Sequence, residues 1–296
     1  MDKKGDIMKS VIALLLNSSA GSGRASKHLE QIMNRFDFHG HSIEVLSPNS
    51  LQETKRVVSE SNAERIIVVG GDGSLHYAVN ATAETGRTLG LIPLGTGNDA
   101  AKALNISNQN IEESVDRCLE DPIAIDLIKS GSQYFMTSCI AGFPAQVNSR
   151  ANSMQFPKGK SRYTIATLAE LKKLEPSRYK LAIDNTEIEI DAMALTVANT
   201  PYFGGGMKIC PEANPSDGIL DICVLGEVSR ARLLYLFGKI RKGKHVDAAE
   251  VSMFRARSVT IEALGELRAD GEPFRSLPAS MEVVSDALLI AGARLT

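Results

Sequence analysis

The sequence predicts an α/β protein with two parts, an open parallel α/β sheet over residues 1–122 and a mostly antiparallel β domain over residues 123–296. Three observations carry this reading. Short apolar runs alternate with amphipathic stretches in the first part, the pattern of strands buried on both faces between covering helices. From Ile123 onward apolar and polar residues alternate one by one, the period of half-buried strands. Gly-rich turns also follow strand candidates of the first part, where a parallel sheet turns into its crossover helices.

The strand candidates of the first part are Val11–Leu16, Ile43–Leu46, Arg65–Val69 and Thr88–Pro93. Arg24–Phe36, Leu51–Ala63, Leu75–Glu84 and Asp99–Leu104 are helical in period or composition. In the second part IAIDLI, YKLAIDNTEIEIDAMALTVA, ILDICVL, SVTIEA and ASMEVVSDALLIA read as strands. Two helical stretches interrupt them, Tyr163–Leu174 and Ser229–Ile240, each with Lys or Arg at its ends. No internal repeat, heptad array or low-complexity linker is present, so the boundary near residue 122 rests on a shift in composition.

Bulk properties narrow the functional classes. With 296 residues and 43% hydrophobic side chains, the chain can bury a substantial core without staples. A net charge of −2 and a pI near 6.2 provide no global positive field, which argues against nucleic acid as a partner. Cys118, Cys139, Cys210 and Cys223 lie far apart without a C-x-x-C pair, so they read as reduced, mostly buried thiols. The start MDKKGDIMKS-VIALLLN imitates a signal peptide, but its apolar run is too short and reads as a first buried strand. No segment approaches the ~20 apolar residues of a membrane span, and the expected location is cytoplasmic with at most peripheral contact at the inner membrane surface.

Three Gly-rich turns fall where doubly wound sheets bind ligands, at strand carboxyl ends where backbone N–H groups and helix N-termini face an anion. They are Asn17-Ser18-Ser19-Ala20-Gly21-Ser22-Gly23, Gly70-Gly71-Asp72-Gly73-Ser74 and Leu94-Gly95-Thr96-Gly97-Asn98-Asp99. None is a P-loop. Residues 95–100 formally fit the dinucleotide fingerprint G-x-G-x-x-[GA], but they follow a late strand instead of the first. Asp72 places a carboxylate among glycines where phosphate would approach. That is favourable if Mg²⁺ bridges the two or if Asp72 orders the turn, and the alternative is a plain helix cap.

These residues resemble the soluble diacylglycerol-kinase catalytic family, which includes bacterial YegS-like and DgkB-like lipid kinases and is related to sphingosine kinases. Gly70–Ser74 is similar to its G-G-D-G-T loop, Pro93–Asp99 to its P-x-G-T-x-N-D segment and Asn17–Gly21 to its N-P-x-S-G loop. Tyr202-Phe203-Gly204-Gly205-Gly206-Met207, Pro211, Asp217-Gly218, Leu220-Asp221 and Asp270-Gly271-Glu272 keep the family's order. The resemblance implies a phosphofructokinase- and NAD-kinase-like first domain, a C-terminal β-sandwich, and ATP with Mg²⁺ bound between them. It implies nucleotide contacts from Asn17, Ser18, Ser19, Ala20, Gly21, Ser47, Gly70, Gly71, Asp72, Gly73, Ser74, Thr96 and Asn98. It further implies Glu272 as catalytic base, with Asp72 and Asp270 beside it in the catalytic set. A structural Mg²⁺ or Ca²⁺ is implied on the Asp217 carboxylate and the carbonyls of Asn214 and Ile219, with an ordinary β-turn as the alternative. Ser18, Ser74 and His76 depart from the family's usual Pro, Thr and Asn, which bears on the detail of ATP contacts.

The expected activity is therefore transfer of the ATP γ-phosphoryl group to a hydroxyl of a diacylglycerol-like lipid. An NAD-kinase-like enzyme shares the G-G-D-G loop, but Asp270-Gly271-Glu272 favours the lipid kinase. A non-catalytic nucleotide- or lipid-binding regulator would be expected to lack Glu272 or Asp72. Arg230, Arg232, Lys239, Arg241, Lys242 and Lys244 surround Leu233, Leu234, Leu236, Phe237 and Ile240, a composition suited to an anionic interface or to a solvated amphipathic helix. Lys158, Lys160, Arg162, Lys172 and Lys173 form a second basic cluster. A peripheral membrane contact and a homodimer are both compatible with this reading.

Overall fold

The structure is a computed structural model that describes residues 11–16, 24–106, 110–154, 156 and 160–295. In chain order it begins with β1 (Val11–Leu16), α1 (Arg24–Phe38), β2 (Ser42–Leu46), α2 (Leu51–Glu60), β3 (Arg65–Gly70), α3 (Asp72–Thr82), β4 (Thr88–Pro93), α4 (Asp99–Ala103) and α5 (Ile111–Cys118). It continues with β5 (Pro122–Ser130), β6 (Gln133–Phe135), β7 (Ser138–Gly142), α6 (Phe143–Ser153), α7 (Lys160–Glu170), a 3₁₀ turn (Leu171–Lys173), β8 (Ser177–Ile183) and β9 (Thr186–Ala198). The remainder comprises β10 (Tyr202–Phe203), β11 (Met207–Lys208), β12 (Leu220–Gly226), α8 (Arg230–Ile240), β13 (Val251–Ala256), β14 (Ser258–Glu262), β15 (Glu266–Ala269), β16 (Glu272–Ser276) and β17 (Ala279–Ala291).

Two compact units divide the chain. The first takes Met1–Gly95, Ile106–Ile123 and Leu288–Arg294, and the second takes Thr96–Asn105, Ala124–Ala287 and the last two residues. The main division falls beside the composition shift at residue 122. Two excursions cross it: the segment with α4 belongs to the second unit, and the end of β17 returns to the first.

The first unit is a parallel sheet in the order β17-β4-β3-β1-β2, to which β17 contributes Leu289 and Ile290 opposite Thr88 and Leu89. Beyond their first residues, exposed Val11 and half-buried Arg65, β1 and β3 are buried on both faces because every following position is apolar or glycine. One face packs Ile12, Leu14, Ile67, Val69 and Ile92 against Ile32 and Phe36 of α1 and Ile111, Val115 and Cys118 of α5. The Arg35 guanidinium grips Asp116 of α5 through two bonds of 2.7 and 2.6 Å, which holds that carboxyl below the usual range. α2 stops at Glu60, short of the predicted Ala63, because Ser61 turns extended and its hydroxyl accepts the Ala63 N–H. Residues 72–74, expected as loop, form the first turn of α3. α5 was not anticipated, although Asn110 and Glu113 form a capping box whose N-x-x-E spacing is visible in the sequence.

The second unit is a β-sandwich-like domain built on β9, whose neighbours β7, β8 and β12 all run antiparallel to it. Its interior gathers alternate residues from both ends of the unit, among them Phe135, Tyr179, Leu195, Ile222, Val259 and Leu267. Outside β9, Phe143, Leu171, Met193, Leu233 and Leu236 form a second apolar cluster under α6, the 3₁₀ turn and α8. All four cysteines are buried and unbridged, and burial pushes the Cys118 and Cys223 thiols up to about 12. No described helix is long and apolar enough to cross a membrane.

Candidate active site

In the first unit, register decides where the Gly-rich turns emerge. Leu16 pairs with Val69 and Val69 with Ile92, so the chain leaves β1, β3 and β4 on the same sheet edge. The first of these loops, with Asn17, Ser18, Ser19, Ala20 and Gly21, lies outside the described residues. Ser47 follows β2 and is exposed.

Gly70 ends β3 and its carbonyl accepts the Leu94 N–H at 2.8 Å, which ties the second turn to the third. A Cβ on Gly70 would stand 2.8 Å from the Ser74 Cβ and 2.6 Å from its Oγ, so no larger residue fits without moving the first turn of α3. Gly71 caps α3 with extended backbone and no side-chain bond. Helix geometry directs the N–H groups of the first turn, at Asp72, Gly73 and Ser74, outward from the helix and toward external acceptors. Asp72 is half-buried at that turn. A carboxylate at that position fits a polyphosphate bridged by Mg²⁺. His76 is buried within α3, its ring 6.0 Å from that of Tyr77, and lies one turn beyond the loop.

In the second unit, Thr96 is exposed and Asn98 adopts a left-handed conformation just before α4. Asp99 is buried, accepts the Gly205 N–H at 2.7 Å and lies 3.6 Å from the Lys102 ammonium. The hairpin over α4 turns through Gly204, Gly205 and Gly206 with φ of 61, 87 and 98°, which explains three glycines in succession.

The acid turn follows β15. Asp270 sits at φ 49° and Gly271 at φ 83°, and Glu272 opens β16 opposite Ala269. One oxygen of Asp270 accepts the Thr137 N–H and hydroxyl at 2.8 and 2.7 Å, and the other accepts the Met136 N–H at 3.0 Å. Asp270, predicted in the catalytic set, therefore anchors the turn. Glu272 is half-buried, and among the described residues its carboxylate has no bonded partner. Buried Arg268 donates to the Gly271 carbonyl at 3.2 Å.

Behind this turn lies a polar lattice that the sequence reading missed. Buried Asn199 donates its side-chain amide to the carbonyls of Asp126 and Met136 at 2.8 and 3.1 Å, and its N–H to the Thr137 carbonyl at 2.9 Å. Asp126, 2% exposed, accepts the N–H groups of Gly218 and Asp286 at 2.7 and 3.0 Å and donates its own to the Pro215 carbonyl at 2.7 Å. Hydrogen bonds thus run without a break from the Asp217 turn to the Asp270 turn. The I-D-L alternation around Asp126 signalled a strand, and nothing local marked the acid as a hub.

Asn214, Asp217 and Ile219 share one turn, and the one carboxylate among the donors that the resemblance implies is already engaged. Asp217 accepts the Ile219 N–H at 3.1 Å with one oxygen and is held by the Arg255 guanidinium at the other. The Asn214 side chain folds back onto the N–H and hydroxyl of Ser216. Among the described residues no group of three or more His, Cys, Asp or Glu side chains gathers to hold an ion. Nearby, burial pushes the Asp221 carboxyl up to about 6, opposed by Arg255 and reinforced by Asp217 and Glu212.

The first unit thus carries a glycine-bounded carboxylate at its parallel sheet edge, and the β-rich unit carries a glutamate with no bonded partner among the described residues. Comparison with known proteins supplies the family. Residues 11–130 match the diacylglycerol kinase catalytic domain, and residues 137–292 match the YegS C-terminal NAD kinase beta sandwich-like domain. A diacylglycerol kinase of Mycobacterium tuberculosis (strain ATCC 25618 / H37Rv) is 35% identical over 290 residues, covering 94% of each chain. One from Bacillus subtilis (strain 168) is 25% identical over 90% of each. The crystal structure of a diacylglycerol kinase from Bacillus anthracis str. Sterne shares the fold at a TM-score of 0.78 and 24% identity, with 96% of each chain covered. The chain belongs to the diacylglycerol kinase and YegS-like lipid kinase family, and it is a lipid kinase.

Proposed function

We propose that this lipid kinase transfers the γ-phosphoryl group of ATP to a hydroxyl of a diacylglycerol-like lipid. The observation that carries the reading is Glu272, a carboxylate with no described partner at the tip of a turn that Asp270 and Arg268 hold in place. A lipid hydroxyl is a weak nucleophile until its proton is accepted, and a positioned carboxylate accepts it as the oxygen attacks. The new bond joins that oxygen to the γ-phosphorus, the bond from phosphorus to the β–γ bridging oxygen breaks, and ADP leaves with the electron pair. The N–H groups of the α3 first turn take phosphate oxygens, and Asp72 would hold Mg²⁺, which would supply charge to offset that of the phosphates. Incubation with labelled ATP, Mg²⁺ and a panel of diacylglycerol, other lipids and NAD tests the reading. Label in phosphatidic acid is expected, and label in NADP alone would replace the proposal with an NAD-kinase activity.

Membrane docking through α8 belongs to the same proposal. Leu233 and Leu236 turn inward to the apolar cluster, contrary to their place in the predicted docking face, because the helix period sends them toward β9. Leu234, Tyr235 and Phe237 are 45%, 53% and 41% exposed, joined on α7 by exposed Ile165 and Leu168. Arg230 bonds the Lys172 carbonyl at 2.8 Å, which brings α8 and the end of α7 onto one face. Arg232 is spent on Glu250, while Arg241, Lys242 and Lys244 remain exposed, and residues 229–244 contain no acid. Apolar side chains ringed by cations suit an anionic lipid surface. Cosedimentation with phosphatidylserine vesicles should weaken on substituting Arg241→Glu with Lys242→Glu, and with salt as the Debye length shortens from about 10 Å. Unchanged sedimentation of the double variant would refute docking through α8.

A further inference from the structure

The turn at residues 214–221 contains its own cation. Arg255 on β13 stands directly across from Asp221 on β12, an antiparallel pairing that fixes the two side chains on the same face. From there its Nη2 bonds Asp217 Oδ2, and its Nε lies 3.7 Å from Asp221 Oδ1. The Asp217 side chain is 26% exposed, that of Asp221 only 4% and that of Arg255 54%, so the guanidinium reaches from solvent to two carboxylates of the turn.

A guanidinium donates charge-assisted, directional bonds to carboxylate oxygens and cannot give up its proton. A divalent ion at the same turn would need an oxygen of Asp217, of which Arg255 holds one and the Ile219 N–H the other, plus several further oxygens at about 2.0–2.6 Å. It would also place two positive charges beside a third. The turn has independent fastening through Asp126, which binds Gly218 and Pro215 from β5.

We propose that Arg255 is the resident cation of this turn and takes the place of the structural divalent ion that the family resemblance assigns to Asn214, Asp217 and Ile219. The protein then folds and holds its β-rich unit without bound metal, and Mg²⁺ enters only with the nucleotide. The inference concerns stability of the free protein, so its failure is distinguishable from failure of the proposed ATP-dependent transfer.

Thermal unfolding of the full chain, free of nucleotide and lipid, tests this with Mg²⁺, Ca²⁺ and a chelator as the only additions. The parent Tm is expected to be the same in chelator and in millimolar Mg²⁺ or Ca²⁺, and calorimetry should show no stoichiometric ion uptake. Arg255→Gln leaves a buried Asp221 carboxylate without its cation and should lower the Tm in chelator by roughly 3–8 °C. A parent Tm that falls on chelation, or a saturable ion uptake that Asp217→Asn abolishes, would overturn the proposal. So would an Arg255→Gln protein that melts with the parent in chelator. If that variant does not fold, the parent measurements alone decide.

Discussion

At Gly70–Ser74 the turn is largely main chain: three of its five residues are glycines, and Gly71 gives the start of α3 no side-chain cap. At Asp270–Glu272 the opposite holds: a lattice of buried side chains, Asp126 on β5, Thr137 just before β7 and Asn199 just after β9, backs a turn that Asp270 fastens. A turn made of backbone depends on steric room, since a single Cβ on Gly70 meets Ser74. A turn made of side chains depends on hydrogen-bond partners far away in sequence, since Asp270 bonds residues 133 and 134 positions earlier. The first should therefore lose function without losing stability when its one acid is removed, and the second should couple the two.

Asp72→Ala offers the largest effect. It takes the only carboxylate from the phosphate turn while leaving glycines and helix start in place, so lipid phosphorylation should fall to background with the circular dichroism spectrum and Tm near the parent. Transfer at the parental rate would reduce Asp72 to a helix cap. Glu272→Gln comes next. It keeps size and polarity but removes the base, so single-turnover transfer should fall by roughly 10²–10⁴-fold with ATP affinity and Tm little changed. Near-parental transfer would show that another group accepts the proton.

Asn199→Ala sharpens the comparison from behind the turn. It leaves two buried carbonyls without their donor, which costs about 1–3 kcal/mol, and denaturant unfolding should register that loss. Turnover should fall with it because the Met136–Thr137 segment positions Asp270. A variant as stable as the parent would mean that the lattice is not the support described. The smallest effect is expected at His245, which is buried and donates Nε2–H to the Ile209 carbonyl at 2.9 Å. Burial lowers its pKa below the ordinary 6.5, so the unfolded chain takes up the proton first. Its contribution to stability is complete above the unfolded value and is lost as pH falls through the folded one. His245→Gln should flatten the loss of Tm between about pH 7 and pH 5, and an unchanged slope would assign that loss to other groups.

What could be read in the sequence was local. Apolar runs marked β1, β3 and β4 to within a residue, because a strand buried on both faces must be apolar throughout. The glycines at positions 70, 71 and 73 marked a tight strand-to-helix turn, since a Cβ at Gly70 would meet Ser74. The ordered motifs pointed to the family and to Glu272. Tertiary structure alone decided which long-range partners each acid meets. Asp270 and Asp72 look alike as D-G pairs, yet the first bonds the Met136 and Thr137 N–H groups far away in sequence and the second opens α3. Asp126, Asn199 and Arg255 carried no signal, because their partners lie across strands whose pairing is set by the sandwich core. The return of β17 to the parallel sheet was equally hidden: periodicity records which face of a strand is buried, while the choice of neighbour is made by long-range packing.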